Sequence, residues 1–217
     1  MAITSYSELL AAGANWLHRS DLTSRFPEFI ALLEAGLNYG LSMPELGIDM
    51  PGLRVRQMET RVTATIDAEY EDVPSDFLET RQIRLNTSPR SILEYTTPAQ
   101  IDATWGGSTT GQPRMFSMVG DSFRFAPSPD ASYTAELIYY AKVPALTASN
   151  TTNWLLTARP DIYLYGMLMH SAPYLNDPRI ATWAQGFKGA VAGLQKSDTA
   201  TRWSGGVLRQ RTSTGSP

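Results

Sequence analysis

The chain has 217 residues, 42% of them hydrophobic and 18% charged, which is enough for one large domain or two smaller ones. A formal charge of −3 gives no global positive field for nucleic acid, and the absence of cysteine excludes disulfides, thiolate metal sites and cysteine nucleophiles. No basic-then-apolar leader opens the sequence and no apolar run reaches the ~18 residues of a membrane helix, so the expectation is a protein that folds in a cytoplasm.

Residues 5–19 are expected to be helical, because Leu9, Leu10, Gly13, Trp16 and Leu17 share a face at helical spacing. Ser5 or Ser7 is the cap, with Glu8 in the first turn. A second helix follows Ser20-Asp21 and strengthens after Pro27; its stripe is Phe26, Phe29, Ile30, Leu33, Leu37 and Leu41. Pro44, Gly47, Pro51 and Gly52 then end the helical region.

From about Gln57 the period becomes two. Val62, Ala64 and Ile66 alternate with Arg61, Thr63 and Thr65, as in a half-buried strand. A turn at Val73–Phe77 leads to another strand near Glu79–Leu85, and Ile92–Tyr95 is a short apolar run. Thr97-Pro98-Ala99 reads as a cap and first-turn proline for a brief helix reaching Trp105. After the Gly106–Gly111 loop, Met115–Val119 and Ser122–Ala126 flank Gly120-Asp121 as a hairpin. That pairing brings Phe116 and Met118 opposite Phe123 and Phe125, and Tyr133–Lys142 follows as a central strand. The middle is thus an antiparallel unit of roughly five or six strands.

Helix returns at Pro160. Ile162, Tyr163, Leu164, Tyr165, Met167, Leu168 and Met169 leave little polar face, which predicts burial all round. Pro173 should kink or stop this helix near its end. Asp177-Pro178 caps the last one, with Ile180, Trp183, Ala184, Phe187, Val191 and Leu194 as its stripe. After Trp203 the periodicity ends. Ser204–Pro217 carries Arg209 and Arg211 and no acid, and reads as a flexible basic arm. Its Val207-Leu208 pair is a short apolar grip suited to a partner's sheet edge or groove.

The fold class is α+β. N- and C-terminal helices, 1–52 and 150–203, form a helical bundle. An antiparallel β unit, sandwich- or barrel-like, is inserted over 53–149, and 204–217 is an extended C-terminal arm.

Catalytic patterns are missing. His18 and His170 are alone in their helices, and no Gly-x-Ser-x-Gly elbow or phosphate-cradling glycine loop is present. The acidic stretch Asp67, Glu69, Glu71 and Asp72 admits acid–base or calcium chemistry, but it lacks the glycine and distal Glu of an EF-hand and reads better as a solvated face. Tyr133, Tyr139, Tyr140, Tyr163 and Tyr165 fit core or subunit contact better than a stacking platform. Neither a cofactor nor a metal is expected.

Three stretches, Asn153-Trp154-Leu155-Leu156, Arg159-Pro160-Asp161-Ile162-Tyr163-Leu164-Tyr165-Gly166 and Arg202-Trp203-Ser204-Gly205-Gly206, together resemble the head–tail adaptor (connector) proteins of tailed bacteriophages. The likeness covers Tyr6–Leu41 and Asn150–Arg202, and the middle more loosely; order and local pattern carry it. It implies a structural virion protein of the neck, made in the host bacterial cytoplasm, and not an enzyme. Such a protein forms a homo-oligomeric ring, a dodecamer, under the portal protein. The ring extends the DNA channel and offers a platform to the tail or nozzle protein, while packaged DNA passes through its lumen without sequence-specific binding. No membrane is involved. Adaptors of this type embrace the portal with C-terminal segments, which nominates Arg202, Trp203, Val207, Leu208, Arg209 and Arg211 as portal-binding. The alternatives are another neck or tail-completion protein, and a carbohydrate-binding β module with helical flanks. A hydrolase using the acidic loop ranks below both.

Overall fold

A computed structural model describes residues 2–106 and 109–202. The described helices are α1 (Tyr6–Leu17), α2 (Phe26–Tyr39), α3 (Pro98–Trp105), α4 (Trp154–Ala158), α5 (Pro160–Leu175) and α6 (Ile180–Arg202). The strands are β1 (Gly40–Met43), β2 (Ile48–Pro51), β3 (Glu59–Ile66), β4 (Tyr70–Asp72), β5 (Phe77–Leu85), β6 (Ser91–Ile92), β7 (Glu94–Tyr95), β8 (Met115–Val119), β9 (Ser122–Ala126) and β10 (Tyr133–Ala141). The chain divides into two compact units, Met1–Arg56 with Ala145–Pro217, and Gln57–Pro144.

In the first unit local chemistry sets the helix ends. Ser5 Oγ accepts from the Glu8 N–H at 3.4 Å while the Glu8 carboxylate accepts from the Ser5 N–H at 3.1 Å, a reciprocal capping box on α1. α5 packs against α1, α2, α4 and α6. That explains its nearly all-apolar surface, with Ile162, Tyr163, Met167 and Leu168 fully buried. Glycine permits the closest approach: a Cβ added at Gly166 would lie 2.4 Å from Leu33 Cδ1. On the other side, Trp16 meets Tyr165 edge-on at 5.8 Å and Trp183 at 5.6 Å. The buried face of α6 is Trp183, Ala184, Phe187, Ala190, Val191 and Leu194. Pro173 lies inside α5, which runs two residues further to Leu175 and closes on Asn176 in the left-handed conformation.

The region after α2 differs from expectation. Leu41 does not extend the helix; α2 stops at Tyr39 because Gly40 adopts φ 109°, outside helical geometry. Gly40–Met43 then pairs with Ile48–Pro51 as a hairpin. Gly52 closes it against α2: a Cβ there would lie 2.3 Å from the Asn38 carbonyl oxygen.

The second unit holds two four-stranded sheets, in the orders β3-β10-β5-β6 and β4-β9-β8-β7. β10 is central, paired with β3 on one side and β5 on the other. The β8–β9 hairpin sets Phe116 opposite Phe125 and Met118 opposite Phe123. Both sheets contribute to one core, including Ile66, Ile83, Leu85, Leu137 and Tyr139 from the first and Phe116, Phe123 and Phe125 from the second. Among the named strands the pairing is antiparallel except between β7 and β8, which run parallel. The unit has more strands than sequence periodicity suggested, because β4, β6 and β7 span only two or three residues each. Such segments are too short to show a period of two.

Candidate functional site

Of the six residues nominated for partner binding, Arg202 alone lies among the described residues; Trp203, Val207, Leu208, Arg209 and Arg211 lie outside them. Arg202 ends α6 and is half-buried. Its Nε donates to Asp198 Oδ2 at 2.7 Å, one helical turn back, and Asp198 Oδ1 accepts from the Arg56 N–H at 2.8 Å. Burial pushes the Asp198 carboxyl up, but the Arg202 and Arg56 hydrogen bonds outweigh it and hold the group below the ordinary aspartate value. The root of the C-terminal segment is thereby fastened to the chain just before the second unit.

A second polar cluster lies inside the helical unit. Glu34, a buried residue of α2, accepts from the Leu146 N–H at 2.9 Å and from the Tyr163 hydroxyl at 3.0 Å. The Tyr163 hydroxyl in turn accepts from Asn153 Nδ2 at 2.7 Å. Burial, followed by the charge of Glu34, pushes the Tyr163 phenol far up, and burial also lifts Glu34 above the usual carboxylate range. This network joins α2, the segment before α4, and α5. Every member is an acceptor or donor used internally, as a buried network requires.

Three carboxylates of the acidic stretch that invited acid–base or calcium readings, those of Glu69, Glu71 and Asp72, make structural hydrogen bonds. Arg124 Nε donates to Glu69 at 2.7 Å and its Nη2 meets Asp102 of α3 at 2.8 Å. Glu71 accepts from the Asp67 and Ala68 N–H groups, and Asp72 accepts from Ser122 Oγ at 3.0 Å. Part of the stretch is strand β4, paired with β9. Among the described residues no group of three or more His, Asp or Glu is placed to hold a metal ion. His18 closes α1 in the left-handed conformation, and burial holds the His170 imidazole below its ordinary value. The tyrosines are mostly structural too: Tyr139 is buried, donates to Asp76 at 2.9 Å, and is pushed up to about 12 by burial and that bond. No described helix is long and apolar enough to cross a membrane.

Two surfaces remain that sequence reading did not find. On the helical unit, Leu32, Tyr39 and Tyr174 are 55%, 68% and 60% exposed. Leu32 and Tyr39 lie two turns apart on the outer face of α2. In the β unit a groove of about 870 Å³ runs between β5 and the β7–β8 pair, with Phe77, Thr80, Phe116 and Met118 on its walls. Ile92 and Tyr95 stand at its mouth, 64% and 62% exposed. Large apolar side chains left in water around a concavity mark a contact surface more often than a solvated face.

The model of the SU10 adaptor protein family matches residues 4–211. The chain belongs to this family. These are phage head–tail adaptors, so the chain is a phage adaptor, a structural component of the virion for which family membership implies association with portal and tail. The matched span takes in both units of the SU10-type adaptor and all six nominated positions from Arg202 to Arg211. No curated protein matches it.

Proposed function

We propose that this adaptor forms a homo-oligomeric ring, a dodecamer, that docks under the portal protein, extends the DNA channel and gives the tail or nozzle protein its platform. The helices of the first unit form one bundle, and the β unit is its inserted sandwich-like module. Arg202, Trp203, Val207, Leu208, Arg209 and Arg211 make the portal contact. The observation that carries this reading is the family match running through position 211, which keeps the C-terminal segment within the family's shared length. The exposed Leu32, Tyr39 and Tyr174 support a neighbour on the helical unit, since each apolar Å² removed from water contributes about 25 cal/mol. The formal charge of −3 supports a lumen that DNA traverses without adhering. Co-purification with the portal protein of the same phage, followed by mass measurement of the complex, tests the proposal. A portal bearing one ring of adaptor copies is expected, and a portal that retains no adaptor at cellular salt contradicts it.

A further inference from the structure

The β-unit groove is bounded by two uncovered strand edges. β6 pairs with β5 only at Arg84 and Leu85, and β7 pairs with β8 only at Met115 and Phe116. Among the described strands none lies along the outer edge of β5 from Leu78 to Gln82, or along β8 beyond Phe116. Residues of both uncovered stretches, Leu78–Gln82 of β5 and Met118 of β8, line the same cavity. Sheet edges carry a row of main-chain donors and acceptors that pair with another chain unless something blunts them. The walls are mixed: Phe77 and Met118 are only partly buried and Ile92 and Tyr95 largely exposed, while Glu59, Glu79, Arg81 and Gln82 line the side of the β5 sheet. Thr80 Oγ1 is buried on the β5 wall without a hydrogen-bond partner. An extended segment entering here gains main-chain bonds from an edge and apolar contact from the walls, the recognition mode of strand addition.

The chain supplies a segment of that kind. Residues 203–217 follow α6, contain no acid, and hold no proline before Pro217, so nothing in 203–216 lacks the N–H that a ladder needs. Gly205-Gly206 precedes Val207-Leu208, and Arg209 and Arg211 follow. Fully extended at ~3.3 Å per residue, the segment reaches about 50 Å, ample for a neighbouring molecule. Side chains alternate along a strand, so Leu208 shares a face with Gln210, and Val207 with Arg209 and Arg211. The opposite choice, Val207 inward, turns two guanidinium groups onto the apolar Phe116–Met118 side of the groove, which is costly.

We propose that the groove receives the segment 203–217 of a second copy as an added strand, with Leu208 turned toward Phe116 and Met118 and with Arg209 and Arg211 turned outward. The proposal rests on the adaptor reading for the presence of neighbouring copies, and goes beyond it by seating the segment on its own kind. On this seating Leu208 serves the portal contact indirectly, by holding Val207, Arg209 and Arg211 outward to meet the portal.

The absence of native cysteine allows a direct test on the full chain. One population carries Leu208→Cys, and a second, distinguishable by a size tag, carries Ile92→Cys at the exposed mouth, where substitution leaves the core intact. Thr63→Cys, an exposed position on β3, replaces the second population as the control. After mixing at high concentration and mild oxidation, the Leu208→Cys/Ile92→Cys heterodimer is expected to form at least about tenfold faster than the control pair, a difference of about 1.4 kcal/mol in effective encounter. Equal rates overturn the proposal. So does a chain carrying both Leu208→Cys and Ile92→Cys that closes on itself without forming dimers. Portal binding by the unmodified chain, measured alongside, separates the two claims. Portal binding without the cross-link removes the groove and leaves the adaptor; the cross-link without portal binding does the reverse.

Discussion

The Glu34 network gives the sharpest physical test of the helical unit. Glu34→Ala leaves the Leu146 N–H and the Tyr163 hydroxyl inside the unit with no acceptor, where the wild type places one carboxylate 2.9 and 3.0 Å away. Each orphaned buried donor costs about 1–3 kcal/mol, and relief from burying a charge returns part of it, so a net loss of about 2–4 kcal/mol is expected. For a chain of this size that lowers the melting temperature by about 5–15 °C. Glu34→Gln keeps an acceptor for both donors and should stay within about 1 kcal/mol of wild type near pH 4. The two variants also separate by pH. Burial raises the Glu34 carboxyl above its ordinary value of 4.5, while the Leu146 N–H and Tyr163 hydroxyl lower it by less. In the window between the ordinary and the raised value, the native carboxyl keeps a proton that the unfolded chain has released. Wild-type stability therefore falls as pH climbs through that window and levels off above it, whereas the glutamine variant carries no such dependence. Thermal melts followed by circular dichroism from about pH 4 to 8 should show Glu34→Gln gaining on wild type as pH rises. A difference between them that is flat with pH, or an alanine variant as stable as the glutamine one, refutes the reasoning.

Other outcomes follow from packing, charge and the C-terminal segment. Gly166→Ala forces a methyl to within 2.4 Å of the fully buried Leu33, so the Leu33 side chain or the α2–α5 spacing must give; a loss of about 1–3 kcal/mol by chemical denaturation is expected. Arg124→Ala leaves Glu69 and Asp102 without their shared cation and frees α3 from β9; faster hydrogen exchange in Pro98–Trp105 is expected, with a loss of about 1–3 kcal/mol. Thr97→Ala removes the side chain that accepts from the Gln100 N–H at 3.3 Å and should cost about 1 kcal/mol, read as a lower melting temperature. Deleting Ser204–Pro217 should leave the melting temperature within a few degrees of wild type while weakening portal binding at least tenfold, about 1.4 kcal/mol, in a pull-down titration. Undiminished binding by the truncated chain contradicts the assigned role of Val207, Leu208, Arg209 and Arg211.

Much of the fold was legible wherever a local rule decides the conformation. Thr97 followed by Pro98 predicts a capped helix start, and Thr97 does cap α3. Gly120-Asp121 between two apolar pairs predicts the β8–β9 hairpin with its facing phenylalanines. The apolar surround of Ile162–Met169 predicts a helix enclosed by others. Elements decided by a distant partner were hidden. Leu41 continues the three-to-four spacing of α2, so only the positive φ of Gly40 and the pairing with Ile48–Pro51 reveal a strand. Tyr70–Asp72 reads as a polar loop until β9 supplies its ladder. The same holds for the surfaces. The Arg202–Asp198 pair is readable as a helical i, i+4 contact, but the Arg56 N–H that completes it comes from the far end of the chain. The groove is a property of strands that stop pairing, and a single strand's sequence carries no mark of where its neighbour ends.

The place proposed for this chain is the ring between portal and tail. Imaging the neck of the native virion at a resolution that traces side chains tests it most directly. Twelve copies of this fold are expected beneath the portal, with Arg202, Trp203, Arg209 and Arg211 in contact with portal subunits. A neck whose ring is built from another protein, with this chain absent or bound elsewhere on the particle, contradicts it.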